Sequence, residues 1–308
     1  MRSVWSFWSL PFKAFKGRMW RQPKHHLMSW GLSLRLAQEY FPETVLITDT
    51  WGKELLVDDL GLEFAHVSTE LDRLKNIDPE WWALGKLVAY RMQEKPFIHL
   101  DTDVFLWKPL PPSLLSADVF TQCPEHHSLD EAVGPYLIED LFAKFELPLP
   151  VEWVWSRSTH TTWFPEENCG IFGGNNIPFI RYFSQAALDL VTSGKHADAW
   201  STFGDKDGSN MLVEQYLLSA CIGYHRSNPQ SPFRGISSRH LFPSFAESYN
   251  PSLATKAGFT HLLGDAKTNE HATDRLERRI AALDPSFLRH CTQVLNTLSE
   301  KSRFEPGT

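Results

Sequence analysis

In the stretch Phe97-Ile98-His99-Leu100-Asp101-Thr102-Asp103-Val104, an apolar strand runs straight into two carboxylates two positions apart. Alternate residues of an extended segment project the same way. Asp101 and Asp103 could therefore share one hard divalent cation, Mg2+ or Mn2+. The ligand crevice of an open parallel sheet lies at the carboxyl ends of its strands, where this strand would deliver both groups. The plainer reading is a turn or cap, because Asp is common after strands. A second stretch, Thr260-His261-Leu262-Leu263-Gly264-Asp265-Ala266-Lys267, carries complementary chemistry. His261 is a possible Mn2+ ligand, Gly264 permits close backbone approach, and Lys267 offers a point charge to phosphate. Alone it reads as a surface loop. With Asp101 and Asp103 it makes a set: two carboxylates and an imidazole for a metal, and an ammonium for a diphosphate.

These residues need a scaffold, and the first hundred positions supply one. Apolar runs predict strands at Val4–Trp8, Val45–Thr48, Phe64–Val67 and Phe97–Leu100. Helical spacing predicts helices at His25–Tyr40, Lys53–Leu60 (closed by Gly61) and Pro79–Met92 between them. This alternation predicts a mainly parallel central sheet flanked by helices. Further on, Val119–Gln122 and Cys169–Phe172 read as strands, and Ala132–Phe145, Phe179–Thr192 and Met211–Cys221 as helices. Leu147–Pro165 reads as loop or irregular strand, Gly173–Asn176 and Lys206–Asn210 as turns, and 226–240 as loops. Residues 270–300 read as one or two helices split near Pro285, with a frayed tail. There is no internal repeat and no clean linker. The expectation is an α/β domain over 1–268, with C-terminal helices and tail over 269–308 packed on the same domain.

Composition narrows the function classes. The chain has 308 residues with 42% hydrophobic and 22% charged, enough for a sizeable core and against bulk disorder. A net charge of −7 argues against nonspecific nucleic-acid binding. No apolar run reaches the roughly 18 residues of a membrane span. The N-terminal MRSVWSFWSLPFKAFKGR lacks the long apolar stretch and small-residue cleavage site of a signal peptide. Cys123, Cys169, Cys221 and Cys291 fall into no CxxC-type pattern, so reduced thiols in a cytoplasmic protein are expected. Trp is unusually common at 12 residues. Trp153, Trp155 and Trp163 read as packing or as the wall of an acceptor groove. His25-His26 are adjacent, do not share a helix face, and read as non-metal. Glu166-Glu167 read as a solvated acidic pair.

The strand order followed by Asp101-Thr102-Asp103 resembles the GT-A superfamily of nucleotide-sugar-dependent glycosyltransferases. It is most similar to the retaining, glycogenin-like and lipopolysaccharide galactosyltransferase-like members, and the expectation is a bacterial family within that superfamily. Gly85-Lys86-Leu87-Val88-Ala89-Tyr90 resembles their helix before the metal motif, which carries a basic residue near the donor sugar. Asn168-Cys169-Gly170-Ile171-Phe172 resembles their N-x-G strand beside the sugar. Glu214-Gln215 resembles an acidic-Gln pair, and His261-Leu262-Leu263-Gly264-Asp265-Ala266-Lys267 their late HxxGxxK motif. Lys86 stands where Arg is commoner, Glu214 where Asp is usual, and Thr268-Asn269 where Pro-Trp often follows.

The resemblance implies a GT-A-like fold and a hexosyltransferase-like activity, with a nucleoside diphosphate sugar as donor and a glycan, lipid or protein as acceptor. It implies Asp101, Asp103 and His261 as ligands of Mn2+ or Mg2+. Lys86, Asp101, Asn168, Gly170, Gly264 and Lys267 would contact the donor, and Glu214 and Gln215 would be catalytic, near the anomeric carbon. From the residues alone, Glu214 reads equally as a solvated helix position, Lys86 as the partner of a surface carboxylate, and Asn168 as the start of a turn. Two other functions compete. A haloacid-dehalogenase-like phosphatase would use Asp101 as nucleophile and Asp103 as general acid, although three strand–helix units precede the motif here. A non-catalytic nucleotide-sugar or glycan-binding protein could use the same fold.

Overall fold

The computed structural model describes residues 1–15 and 20–304, with side chains through 298. The strands are β1 Arg2–Phe7, β2 Thr44–Thr48, β3 His66–Ser68, β4 Phe97–Leu100, β5 Val104–Leu106, β6 Val119–Thr121, β7 Pro124–Ser128, β8 Trp163–Glu167, β9 Ile171–Gly174, β10 Ser238–His240 and β11 Phe259–His261. Seven of them form the central sheet in the order β10-β6-β9-β4-β1-β2-β3. Neighbours pair in parallel except around β9, which runs antiparallel to both β4 and β6. The molecule is thus a mixed α/β protein with a mostly parallel sheet flanked by helices. Thr44–Thr48 and Phe97–Leu100 are buried at every position, as strands covered on both faces must be.

β1 divides the core in two. Val4 packs with Leu84, Leu87 and Val88 of helix Leu84–Arg91 and with Ile180 and Phe183 of helix Ile177–Thr192. Trp5 and Phe7 face the opposite way, onto Leu27, Trp30 and Leu34 of helix Pro23–Gln38. The C-terminal helices Glu270–Leu283 and Pro285–Phe304 join this second core through Leu276, Ile280, Phe287 and Cys291. Gly31 makes that docking possible, because a Cβ there would stand 2.3 Å from the Phe287 ring.

Beside β4 the chain turns through Asp101–Asp103 and leaves the main sheet as β5. β5 pairs antiparallel with β11, in a register that sets His261 against Val104. A second ribbon pairs β7 with β8, setting Glu125 against Glu166 and Pro124 against Glu167. Both ribbons flank the carboxyl end of β4.

Several sequence expectations are corrected. Leu147–Pro165 is loop and strand only at its ends: helix Val151–Thr159 fills its middle, starting directly after Pro150. Its Val and Trp residues favour strands, but Trp153 fills the core and tertiary packing overrides propensity. Lys206–Asn210 is not a turn but helix Lys206–Met211, capped by the Asp205 carboxylate accepting from Gly208 N at 3.2 Å. The Pro79 helix begins later, at Leu84, and the third strand is shifted to His66–Ser68. Lys53–Leu60 divides into helix Thr50–Lys53 and the wider π turn Glu54–Asp59. Glu166 and Glu167 are buried, not solvated. The frayed tail lies outside the described residues, as does the end of the N-terminal segment at 16–19. No helix among the described residues is long and apolar enough to cross a membrane.

Replacing Phe287 with Ala is expected to cost about 3–5 kcal/mol in urea unfolding, from the lost ring and the cavity beside Gly31. A loss no larger than the roughly 0.5 kcal/mol of a surface substitution would put the C-terminal helices outside the cooperative core.

Candidate metal centre

The β5–β11 ladder and the turn after it deliver three groups to Asp103. Leu262 N donates to Asp103 O at 3.1 Å, which fixes the two strands at this point. His261 Nε2 lies 3.5 Å and Lys267 Nζ 2.9 Å from Asp103 Oδ2. Only 3% of the Asp103 side chain is exposed. Burial pushes its pKa up, but Lys267 and His261 outweigh that and hold the carboxyl far below the ordinary carboxylate range. Gln122 Oε1 sits 2.7 Å from His261 Nδ1. A carbonyl oxygen only accepts, so Nδ1 carries a hydrogen and Nε2 is the nitrogen turned toward Asp103. Gln122 went unread in the sequence, where a single polar residue at a strand end carries no signal.

Asp101 occupies a wetter place, with 26% of its side chain exposed. Lys86 Nζ approaches its two oxygens at 3.0 and 3.2 Å and reaches Glu214 Oε1 at 2.9 Å. Tyr90 donates its hydroxyl to that same Glu214 oxygen at 2.7 Å. Glu214 is fully buried, on the π stretch Leu212–Tyr216, a local widening of the kind often found at functional sites. Burial raises the Glu214 pKa against the pull of Lys86. Burial lowers that of Lys86, but Asp101 and Glu214 reverse this and leave it raised, so the ammonium stays charged. Neither the solvated-helix reading of Glu214 nor the surface-pair reading of Lys86 describes these positions.

The ligand atoms of Asp101, Asp103 and His261 all lie within 4.8 Å of one another. Two carboxylates and an imidazole suit Mn2+ or Mg2+, and the arrangement fits a single cation. Gly170 is required here for a steric reason. A Cβ would stand 2.4 Å from the His261 ring and 2.6 Å from Gln122 Oε1. Its carbonyl accepts from Asp101 N at 3.0 Å, which ties the metal turn to β9. Asn168 is buried with both ends of its amide engaged: Nδ2 donates to Glu125 Oε1 at 2.5 Å and Oδ1 accepts from Gly170 N at 3.0 Å. Gly264 has φ +51° and opens the 3-10 turn Gly264–Lys267. Gln215 is buried, with Nε2 3.4 Å from Met211 Sδ and Oε1 unpartnered.

Other candidates fall elsewhere. His25 Nε2 meets Glu277 at 2.7 Å. His26 stacks on Phe12 and accepts from Trp30 Nε1 at 3.1 Å. Burial and then Lys267 push its pKa down to about 3, so it is neutral. Trp153 is core and donates to Glu139 at 3.0 Å. Trp155 and Trp163 are part-exposed, and Trp163 packs beside His126 and His160.

The molecule is therefore an α/β protein with an acidic, His-completed centre at the carboxyl end of its central strand. A family model described as "Family of unknown function (DUF6734)" matches residues 1–294, and the chain belongs to that family. No curated protein matches it. Similar solved structures include a glycosyltransferase involved in the glycosylation of the major capsid of PBCV-1, at 12% identity and TM-score 0.36, over 90% of this chain and 98% of that one. The galactosyltransferase LgtC, in complex with donor and acceptor sugar analogs, has 11% identity and TM-score 0.32, over 69% of this chain and 70% of that one. Mouse xyloside xylosyltransferase 1 has 12% identity and TM-score 0.30, over 68% of this chain and 80% of that one. Similarity at this level leaves the functional reading to the side chains of this chain.

Lys267→Met strips Asp103 of its nearest cation and is expected to cost about 3 kcal/mol, part of which Asp103→Asn restores in the double variant. The sign with pH follows from the depressed Asp103 pKa. Its stabilisation is full above the ordinary Asp value of about 3.9 and is lost as pH falls toward the depressed folded value. Urea midpoints between pH 7 and pH 3 should fall less steeply for Lys267→Met than for the unaltered protein. Parallel curves would contradict the pairing.

Proposed function

We propose that this protein is a divalent-metal-dependent glycosyltransferase that moves a sugar from a nucleoside diphosphate sugar to an acceptor hydroxyl. The carrying observation is the convergence of Asp101, Asp103 and His261 within 4.8 Å, with the Lys267 ammonium at 2.9 Å from Asp103. A bound Mn2+ or Mg2+ would supply charge stabilisation to the diphosphate as it leaves. Lys267 is poised to change partner: once Asp103 is neutralised by a cation, its ammonium is free to turn to a phosphate oxygen. Lys86 holds Asp101 in place and keeps a positive charge on the donor side. Glu214, fixed by Tyr90 and Lys86, would lie near the anomeric carbon with Gln215 and favour the positive character developing there.

Retention fits these partners. The bond between the anomeric carbon and the phosphate oxygen breaks, the acceptor oxygen bonds to the same face, and the acceptor proton passes to the departing phosphate. An inverting reaction needs a free carboxylate base opposite the leaving group. Glu214 is buried and occupied by Lys86 and Tyr90, and Glu167 is held by Thr121 and His240 at 2.7 and 2.8 Å. The phosphatase alternative is disfavoured by the depressed pKa of Asp103, which leaves no proton for a general acid to give. The acceptor is a hydroxyl of a glycan, lipid or protein.

In thermal shift assays over a panel of nucleoside diphosphate sugars, at least one should stabilise the protein only when Mn2+ is present. Asp101→Asn and Asp103→Asn should each abolish that shift. Unchanged Mn2+ dependence in both variants would overturn the metal assignment, and binding without turnover would make the protein a nucleotide-sugar-binding module.

Anomeric configuration is a separate test. An α-linked donor should give an α-linked product in NMR of the first material formed. A β-linked product would overturn retention and direct the search for a base to Glu166, Glu167 and Glu214.

A further inference from the structure

The β7–β8 ribbon sets two glutamates directly opposite each other, Glu125 against Glu166. Like charges in that position repel, and here both are buried, with 8% and 5% of their side chains exposed. Between them stands His127, one register step along the same face. Its Nε2 lies 3.4 Å from Glu125 Oε2 and 3.4 Å from Glu166 Oε2. Those separations are longer than the roughly 2.7–3.2 Å of an ordinary N–H···O hydrogen bond, and Nε2 is buried with no well-formed hydrogen bond. They match the edge of a tetrahedron. Ligands about 2.0–2.1 Å from a central Zn2+ stand roughly 3.3–3.4 Å apart. All three ligand atoms lie within 4.8 Å of one another.

We propose that Glu125, His127 and Glu166 form a second divalent-cation site, shaped for a small tetrahedral ion of the Zn2+ class with a water in the fourth position. The groups behind the ligands support it. Asn168 Nδ2 holds Glu125 Oε1 at 2.5 Å and leaves Oε2 free. Glu131 Oε2 lies 3.2 Å from His127 Nδ1, so that nitrogen carries a hydrogen, and Nε2, turned inward, is the one available to a cation once it gives up its own proton. A carboxylate on the outer nitrogen of a ligating His is the usual orienting partner in zinc sites. Asn168 Oδ1 also accepts from Gly170 N, and Gly170 O accepts from Asp101 N. A cation here would therefore brace the backbone that carries the first centre. The proposal is independent of sugar transfer.

The competing account is a protonated His127 bridging two carboxylates, with its pKa pushed up to about 10 by hydrogen bonding to Glu125 and Glu166. Co2+ separates the two, because tetrahedral Co2+ absorbs visible light far more intensely than octahedral Co2+. Metal-free full-length protein titrated with Co2+ should develop the intense band, with an amplitude at saturation that corresponds to one tetrahedral ion per chain. The band should be lost in Glu166→Gln and in His127→Asn, and should persist in the Asp101→Asn/Asp103→Asn double variant. Zn2+ should displace it, and Glu131→Gln should weaken Zn2+ binding about 10–100-fold. Weak octahedral absorption alone in the unaltered protein overturns the proposal whatever the variants do. So does a band that survives both Glu166→Gln and His127→Asn, or that vanishes in the double variant.

Discussion

A carboxylate almost wholly withdrawn from water, at the point where the central strand leaves the sheet, cannot stay charged without cations around it. Asp103 is that group, and much of the surrounding chain answers to it. The β5–β11 ladder exists at the position that brings His261 against it. The turn after β11 doubles back so that Lys267 reaches it. Gln122 fixes which His261 nitrogen faces it. Gly170 lacks the side chain that would push His261 away. Remove the buried charge and these features lose their common reason.

Asp101 answers to a different balance. Lys86 lies between it and Glu214, so one ammonium neutralises parts of two carboxylates. Among Asp101, Asp103, Glu214, Lys86 and Lys267, three negative groups face two positive ones, and the His261 ring stands beside them. That leaves one unbalanced negative charge beside an imidazole ligand, the condition under which a divalent cation binds with gain. Burial matters because the same charges in open water would be screened and worth little.

β1, β2 and β4 were legible because parallel strands covered on both faces read as plain apolar runs between helical stretches, whereas the short, exposed edge strand β3 was placed two residues early. The DxD turn and the late His–Lys segment were legible because their spacing is local. Their meeting was expected from their complementary chemistry and from the family resemblance, but the β5–β11 register that brings it about across distant sequence was not legible. Helix Val151–Thr159 was hidden by strand-favouring Val and Trp, and only the core that Trp153 fills reveals it. Glu125, His127 and Glu166 were illegible for a related reason. Read locally, Glu166-Glu167 is an ordinary surface pair. Its burial and its opposition to Glu125 follow from a ladder that no local pattern announces.

Asn168 shows how the two acidic centres depend on each other. An amide has one accepting and one donating end, and here each is committed to a different centre. The donating end meets Glu125, and the accepting end meets the amide of Gly170, whose carbonyl in turn receives Asp101 N. Asp in that position would set an acceptor against the Glu125 carboxylate, and Ser could not span both partners. The backbone on either side is pinned as well, since Asn168 N donates to Cys123 O and Gln122 N to Asn168 O. A displacement of β7 would therefore pull on Gln122 and Gly170 together. Those two residues set the tautomer and the clearance of His261. The position of the β7–β8 ribbon thus bears on the first centre through hydrogen bonds of fixed direction, without any direct contact between the two sets of carboxylates.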